Sequence, residues 1–117
     1  MPTFIQPSPS APALDTPEGH AAAANGDLNR ITELSKTNQK SLHKIDRNGW
    51  QPIHEAARAG HTSIVRFLHE FGVDINARTH QGKGSSPLNV AVATLSEDHP
   101  VSQYLIEQGA LNIEPDL

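Results

Sequence analysis

The seven histidines of this 117-residue sequence are the first candidates for metal or acid–base chemistry. The run HEAA at 54–57 begins like the H-E-x-x-H zinc motif, in which two histidines one helical turn apart bind the metal. Position 58 is an arginine, so the second ligand is missing. His61 and His69 are eight residues apart, which is too far for a pair at i and i+4. We therefore predict that the histidines are structural or surface residues, and we predict no metal site.

Residues 82–86, Gly-Lys-Gly-Ser-Ser, hold the remaining candidate chemistry. A phosphate loop requires G-x-x-x-x-G-K-[ST] after a buried strand, and a hydrolase serine elbow requires G-x-S-x-G, but neither spacing occurs here. The neighbouring carboxylates Glu97 and Asp98 stand beside a proline in a predicted loop, where solvation is the simpler interpretation. No acid, base and nucleophile combine into a catalytic set, so we predict that the chain is not an enzyme and uses no cofactor.

Composition excludes further classes of function. The chain has no cysteine, which excludes disulfides, cysteine-ligated zinc and thiol nucleophiles. Its formal net charge of -4 does not suit a nucleic-acid binder, since such proteins usually carry a basic excess. The first residues lack the basic and apolar regions of a signal peptide, and no stretch approaches the roughly 18 apolar residues of a membrane span. We expect a cytoplasmic or nuclear protein.

The first 16 residues form a tract rich in proline, serine and alanine. Proline removes backbone donors, and few large apolar residues are available to bury, so this tract is predicted to be a disordered tail. Ser8-Pro9 and Thr16-Pro17 are candidate sites for a proline-directed kinase, and an inert tail is the alternative.

Helical patterning begins at Thr16, which is predicted to cap the first helix, with Pro17 at its first position. The second helix opens at Asp27, and further helices are predicted over residues 52–59, 62–70, 87–93 and 100–108. Glycines end most of them, and glycines in turns and at helix ends recur at intervals of 33 residues (49 to 82), 34 (26 to 60) and 37 (72 to 109). Two helices in each unit of about 33 residues is the pattern of a helical repeat protein.

The unit from Asp46 to Arg78, DRNGWQPIHEAARAGHTSIVRFLHEFGVDINAR, closely resembles the ankyrin consensus. That consensus has a D-x-x-G-x-T-P-L-H-x-A-A segment, then G-H, an I-V-x-x-L-L outer helix and G-A-D-V-N. The resemblance implies an all-α solenoid of stacked helix-turn-helix units with projecting turns or β-hairpins. It places a repeat domain at 17–117, with units of about 17–45, 46–78 and 79–113. Gln51 replaces the consensus threonine, which predicts the loss of a short hydroxyl cap.

The flanking units resemble the consensus less well. In the first, His20 falls opposite His54, and residues 22–28 align with 56–62. In the last, Ser-Pro-Leu-Asn-Val-Ala at 86–91 follows the T-P-L-H-x-A pattern, with Lys83-Gly84 inserted in the turn and residues 95–99 lengthening the loop between helices.

Ankyrin proteins bind partners through their turn tips and the exposed face of the inner helices, so the resemblance implies non-enzymatic protein binding. The implied contact residues are Arg47, Asn48, Trp50, Arg58, His80, Gln81 and Lys83. Trp50 is either a binding anchor or a side chain packed against the next turn. The cations Arg47, Arg58, Arg78 and Lys83 make this side basic, which predicts an acidic partner surface that includes an apolar pocket.

Two further expectations follow from the resemblance. Residues 68–76, LHEFGVDIN, are similar to ankyrin segments modified by asparaginyl hydroxylases, which makes Asn76 a candidate for hydroxylation. The alternative is that Asn76 only hydrogen-bonds the connecting turn. We expect a monomeric adaptor, scaffold or inhibitor, and the alternative is a recognition or regulatory module associated with a separate catalytic domain or subunit.

Overall fold

The structure is a computed structural model that describes residues 17–116. The predicted disordered tail and its two kinase sites therefore lie outside the described residues, apart from Pro17 itself. Within 17–116 the chain is helical and contains no β-strand, so the tips project as turns and not as β-hairpins. The helices are α1 (Glu18–Asn25), α2 (Leu28–Thr37), α3 (Pro52–Ala59), α4 (Thr62–Phe71), α5 (Thr79–Gly82), α6 (Pro87–Thr94) and α7 (Pro100–Glu107), with a 3-10 turn at Gln39–Leu42.

Helix α1 begins one residue later than predicted. Pro17 occupies the cap position with extended backbone (ψ 147°), and Glu18 is the first helical residue. The prediction that Pro17 starts the helix was therefore wrong, because Pro17 stands where Gln51 caps α3 and Ser86 caps α6. The glycine ends are as predicted: Gly60 takes the left-handed conformation at φ 80° and closes α3, where a side chain would be strained.

The helices form two layers that are stacked unit by unit. The inner helices α1, α3 and α6 pack side by side, while α4 of the outer layer contacts both α2 and α7. Small residues allow the inner helices to approach closely, since alanine has no atom beyond Cβ. These fully buried alanines are Ala23, Ala56, Ala57 and Ala91. The all-α ankyrin-type solenoid predicted from the sequence is confirmed.

The outer helices bury the branched aliphatic side chains that the helical spacing predicted. Ile31 and Leu34 of α2 are almost completely buried, as is the matching stripe of α4. That stripe consists of Ile64, Val65 and Leu68. Burial of a side chain of this size stabilises the fold by about 1.5–3 kcal/mol, so the outer layer supplies much of the driving force for stacking.

The last turn accommodates the predicted two-residue insertion. The backbone N–H of Asp46 donates to Trp50 O across the middle turn, and Thr79 N–H donates to Ser85 O across the longer one. Gly84 lies so close to Thr79 that an added Cβ would be 2.0 Å from Thr79 Oγ1. The extra residues are thus folded into the turn, and α5, which forms its start, is irregular, with His80 and Gln81 both at φ 52°.

Candidate partner-binding surface

His54 positions the middle turn from inside the core. It is completely buried, its Nε2 donates to Ala77 O at 2.7 Å, and its Nδ1 accepts from Gln51 N–H at 3.0 Å. Burial lowers the pKa of His54 to about 4, more than the hydrogen bond to Ala77 opposes it. The ring is therefore neutral at pH 7, with its proton on Nε2. At position 51, glutamine lacks the hydroxyl that the consensus threonine would supply, but its backbone N–H still bonds to the His54 ring.

The last unit uses a side-chain cap at the same place. Ser86 Oγ accepts from Asn89 N–H at 3.2 Å and from Ile113 N–H at 3.0 Å, and it donates to Leu111 O at 2.7 Å. A serine with three partners thus joins α6 to the chain that follows α7. Asn89, which replaces the usual histidine, bonds through its side-chain amide to Asn112 Oδ1 at 2.9 Å.

Other histidines also connect neighbouring units. His20 Nε2 donates to Trp50 O at 2.7 Å and His61 Nε2 to Ala24 O at 3.2 Å, while His69 Nδ1 lies 2.9 Å from the hydroxyl of Tyr104. His99, in the lengthened loop, packs over Gly60 as His61 packs over Gly26. Within residues 17–116, no group of three or more His, Cys, Asp or Glu side chains is arranged to hold a metal. These histidines serve as ties between repeats.

Trp50 packs within its own unit. The Arg58 guanidinium lies 5.5 Å from the centroid of the Trp50 ring, and the His54 ring meets Trp50 edge-on at 5.7 Å. Arg58 also donates to Glu55 Oε1 at 2.7 Å. The indole is half-buried and held between these groups, which leaves part of it facing solvent in a fixed orientation.

A depression of about 240 Å³ lies beside Trp50. It is lined by Asp46, Asn48, Trp50, Glu55 and Arg58. Pockets for drug-sized ligands usually measure about 300–1,000 Å³, so this space suits a single protein side chain better than a small molecule. Sequence reasoning identified Asn48, Trp50 and Arg58 but missed the two carboxylates, because their inward position depends on the folded turn.

The two turn tips touch each other. An added Cβ on Gly49 would lie 2.2 Å from the backbone nitrogen of His80, so only a glycine permits this approach. The contact brings the exposed tip residues of two units onto one edge. This edge, called the tip edge below, consists of Arg47, Asn48, His80, Gln81 and Lys83. Five of the seven predicted contact residues are therefore adjacent, while Trp50 and Arg58 are half-buried beside them.

Arg78 lies against the longer turn, and its charge is paired there with a carboxylate. Its Nε donates to Gly84 O at 2.8 Å, and its Nη2 donates to Asp116 Oδ1 at 2.9 Å. Asp116 N–H in turn donates to Lys83 O at 2.7 Å. Arg78 thus joins the longer turn to the extended segment after α7, because its long side chain can reach both.

Asn76 lies in the connector after α4. Its side-chain Oδ1 accepts from Leu111 N–H at 2.8 Å in the next unit, and its own N–H donates to Asp74 Oδ1 at 2.9 Å. The hydrogen-bonding role that the sequence offered as an alternative is present in the structure. Hydroxylation of Asn76 stays a prediction. None of the helices in the described part of the chain is long and apolar enough to span a bilayer.

Comparison with known proteins gives matches that cover part of this chain and a small part of each relative. The chain is 40% identical over 55 residues to the NAD-capped RNA hydrolase NUDT12 of Homo sapiens, covering 47% of this chain and 12% of that protein. It is 41% identical over 69 residues to the NF-kappa-B inhibitor cactus of Drosophila melanogaster, covering 57% and 13%. It is 33% identical over 87 residues to the ANK repeat-containing protein nipk-1 of Caenorhabditis elegans, covering 68% and 14%.

The chain therefore spans less than a sixth of the length of each of these relatives. A sequence model of three ankyrin repeats covers far more of it, matching residues 20–116. This range includes both of the less regular flanking units, and the structure shows each of them as an inner and an outer helix. The chain belongs to the ankyrin-repeat family.

Proposed function

We propose that this protein is a non-enzymatic interaction module that binds a partner protein through the tip edge and the adjoining Trp50 depression. The observation that carries the proposal is the contact between the two turns at Gly49 and His80. It creates a continuous exposed edge that no single repeat possesses. Ankyrin repeats are in general non-catalytic binding modules, which agrees with this role.

The partner surface that suits this site is acidic at its rim. Arg47 and Lys83 are exposed on the tip edge and supply the positive charge. Arg58 contributes less than the sequence predicted, since Glu55 already neutralises it. Its function in the site is instead to orient Trp50, whose solvent-facing part provides an apolar contact. An apolar side chain framed by carboxylates would complement both features.

The relatives support an inhibitor or adaptor role of this kind. Cactus is by name an inhibitor of NF-kappa-B, and its similarity to this chain extends over 69 residues. By analogy, we propose that this chain acts by covering a surface of its partner, as a monomer. Sedimentation of the purified chain as a single species of about 12.6 kDa over a wide concentration range would support the monomer.

Affinity capture with a matched control tests the proposal. Full-length chain and the Trp50→Ala/Arg58→Ala variant are compared for partner capture, with Arg66→Ala as the control. Arg66 stacks over Tyr104 at 5.3 Å, so this control removes an equivalent arginine–aromatic contact on the outer layer. The expected result is loss of the same partner bands from the Trp50 variant alone, with circular dichroism unchanged. Equal capture by all three proteins would overturn the proposal.

A second candidate function is a recognition module for an associated catalytic domain. The similarity to part of NUDT12, an RNA hydrolase by name, favours it. Peptide mapping of the native polypeptide tests this candidate directly. Peptides from a catalytic domain, joined to this sequence or co-purified in fixed stoichiometry, would support it, whereas a native polypeptide of these residues alone, without a catalytic companion, would contradict it.

A further inference from the structure

Positive charge is concentrated in one short part of an otherwise acidic chain. Residues 34–45 contain Lys36, Lys40 and Lys44 and no carboxylate. Residues 84–117, by contrast, contain five acidic residues and neither lysine nor arginine. The chain as a whole has a formal net charge of -4, so the basic segment is a local feature and not a reflection of composition.

The fold leaves these lysines exposed in the connection between the first and middle units. Lys36 is in the last turn of α2, Lys40 is in the 3-10 turn, and Lys44 follows that turn. Their ammonium groups form no ion pair with any other residue between 17 and 116. The nearest carboxylates in sequence are already engaged, since Glu33 binds Arg30 and Asp46 Oδ1 accepts from Asn48 N–H and Trp50 N–H.

An apolar surface lies next to these lysines. The His43 ring is 5.9 Å from the Phe71 ring at the end of α4, and Phe71 stacks nearly parallel on Phe67 at 6.2 Å. Ile45 exposes 53% of its surface, although it follows Lys44 directly. Ile45 is thus a strongly exposed apolar side chain two residues after His43, whose ring packs on Phe71, and Lys44 lies between them in sequence.

We propose that this surface is a second docking site, which binds an acidic amphipathic protein segment. The connector patch consists of Lys40, His43, Lys44, Ile45 and Phe71, and it uses none of the residues of the tip edge. Ile45 and Phe71 would receive an apolar side chain of the segment, and the lysines would pair with its carboxylates.

The geometry favours protein over other anionic partners. Nucleic-acid bases bind by stacking on open aromatic faces, but Phe71 is flanked by His43 and Phe67. Insertion into a lipid surface requires several protruding apolar groups, whereas Ile45 is the one strongly exposed apolar side chain of this patch. Charge complementarity to the lysines therefore selects an acidic amphipathic protein segment.

Amide chemical shifts of the ¹⁵N-labelled full chain test this site. The probe is a synthetic peptide with glutamates and leucines at helical spacing, and a second peptide carries lysine in place of each glutamate. The glutamate peptide is expected to shift the amides of residues 40–45 and 67–71, with affinity that decreases as salt is added. Lys40→Glu/Lys44→Glu should weaken its binding about tenfold, and Ile45→Ser by a few-fold.

The control variant is Arg66→Glu, which reverses a charge on the other side of α4 and should leave the affinity unchanged. Equal binding of the lysine peptide, or unchanged affinity of Lys40→Glu/Lys44→Glu, would overturn the proposal. Shifts of the same amides by phosphatidylserine vesicles or a single-stranded oligonucleotide, but not by the peptide, would overturn it as well. So would concentration-dependent self-association that Lys40→Glu/Lys44→Glu abolishes, because the occupant would then be a second copy.

Discussion

The first and middle units place a histidine at the same helical position but complete its hydrogen bonding differently. His54 bonds through both ring nitrogens, to Ala77 O and Gln51 N–H. His20 is just as buried and donates to Trp50 O, but its Nδ1 has no partner among residues 17–116. The residue that caps α1 is Pro17, and proline has no backbone N–H to donate. A proline at the cap thus deprives a buried acceptor of the donor that the Gln51 backbone supplies to His54 in the middle unit.

The comparison shows where an ankyrin unit gains its cohesion. Alanines and aliphatic stripes are similar in both units, so packing alone does not distinguish them. The difference lies in the hydrogen bonds of the buried histidines, because a buried polar atom without a partner lowers the stability of the fold. The middle unit should therefore be the most rigid part of the stack, and the following substitutions test this.

Replacing His54 with alanine should have the largest effect. The change removes two hydrogen bonds, leaves Gln51 N–H and Ala77 O without their partner, and opens a cavity in the core. We expect the free energy of unfolding to decrease by about 3–4 kcal/mol, measured by urea titration. The matched substitution His20→Ala removes one bond and should cost less, at about 2 kcal/mol. Equal losses would contradict the comparison.

Acid should destabilise the protein through His54. Its folded-state pKa of about 4 lies below the ordinary value of 6.5, so the unfolded chain binds more protons between these values. The neutral His54 ring therefore contributes to the free energy of unfolding. This contribution is complete above pH 6.5 and is lost progressively as the pH falls to 4, by roughly 3 kcal/mol in total. In urea titrations, the free energy of unfolding should be lower at pH 5 than at pH 7, and this difference should be smaller in the His54→Gln variant. An identical pH dependence in both proteins would assign the effect to other groups.

Asn76→Ala tests the tie between the middle and last units. Loss of the acceptor for Leu111 N–H should cost about 1 kcal/mol in urea unfolding. Hydroxylation at Cβ would leave Oδ1 in place, so a modified chain should keep this stability. Treatment with an asparaginyl hydroxylase should add about 16 Da to the peptide containing Asn76. An unmodified peptide, or a hydroxylated chain as unstable as Asn76→Ala, would contradict this prediction.

Pro17→Ala should have the smallest effect, and it should stabilise the protein where the other substitutions destabilise it. The new N–H can donate to His20 Nδ1, which should stabilise the first unit by about 0.5 kcal/mol after the entropic advantage of proline is lost. Pro52→Ala is the control, because Pro52 is the first helical residue of α3, where an N–H has no acceptor to satisfy. Thermal unfolding should rank Pro17→Ala above wild type and Pro52→Ala below it. The reverse ranking would remove the proposed reason for the weaker first unit.

The sequence alone predicted the repeat period, the glycine helix ends and the aliphatic stripes, because each depends on local conformation or short spacing. It also located the insertion at Lys83-Gly84 and the correspondence of His20 with His54. It did not reveal that Asp116 pairs with Arg78, and it overlooked Asp46 and Glu55 beside Trp50. These omissions share a cause: the direction of a long or turn-borne side chain depends on neighbours that are distant in sequence.

The sequence by itself therefore determined the family and the architecture. One unit that matches the consensus densely, residues 46–78, is enough to identify the repeat, even though the flanking units match less well. The tertiary structure decided which polar groups meet. It joined Arg78 to Asp116, placed Gly49 against His80 and gave His20 Nδ1 no donor among residues 17–116. Hydrogen bonds and ion pairs depend on distances of a few ångströms between units, and no pattern within one repeat specifies these distances.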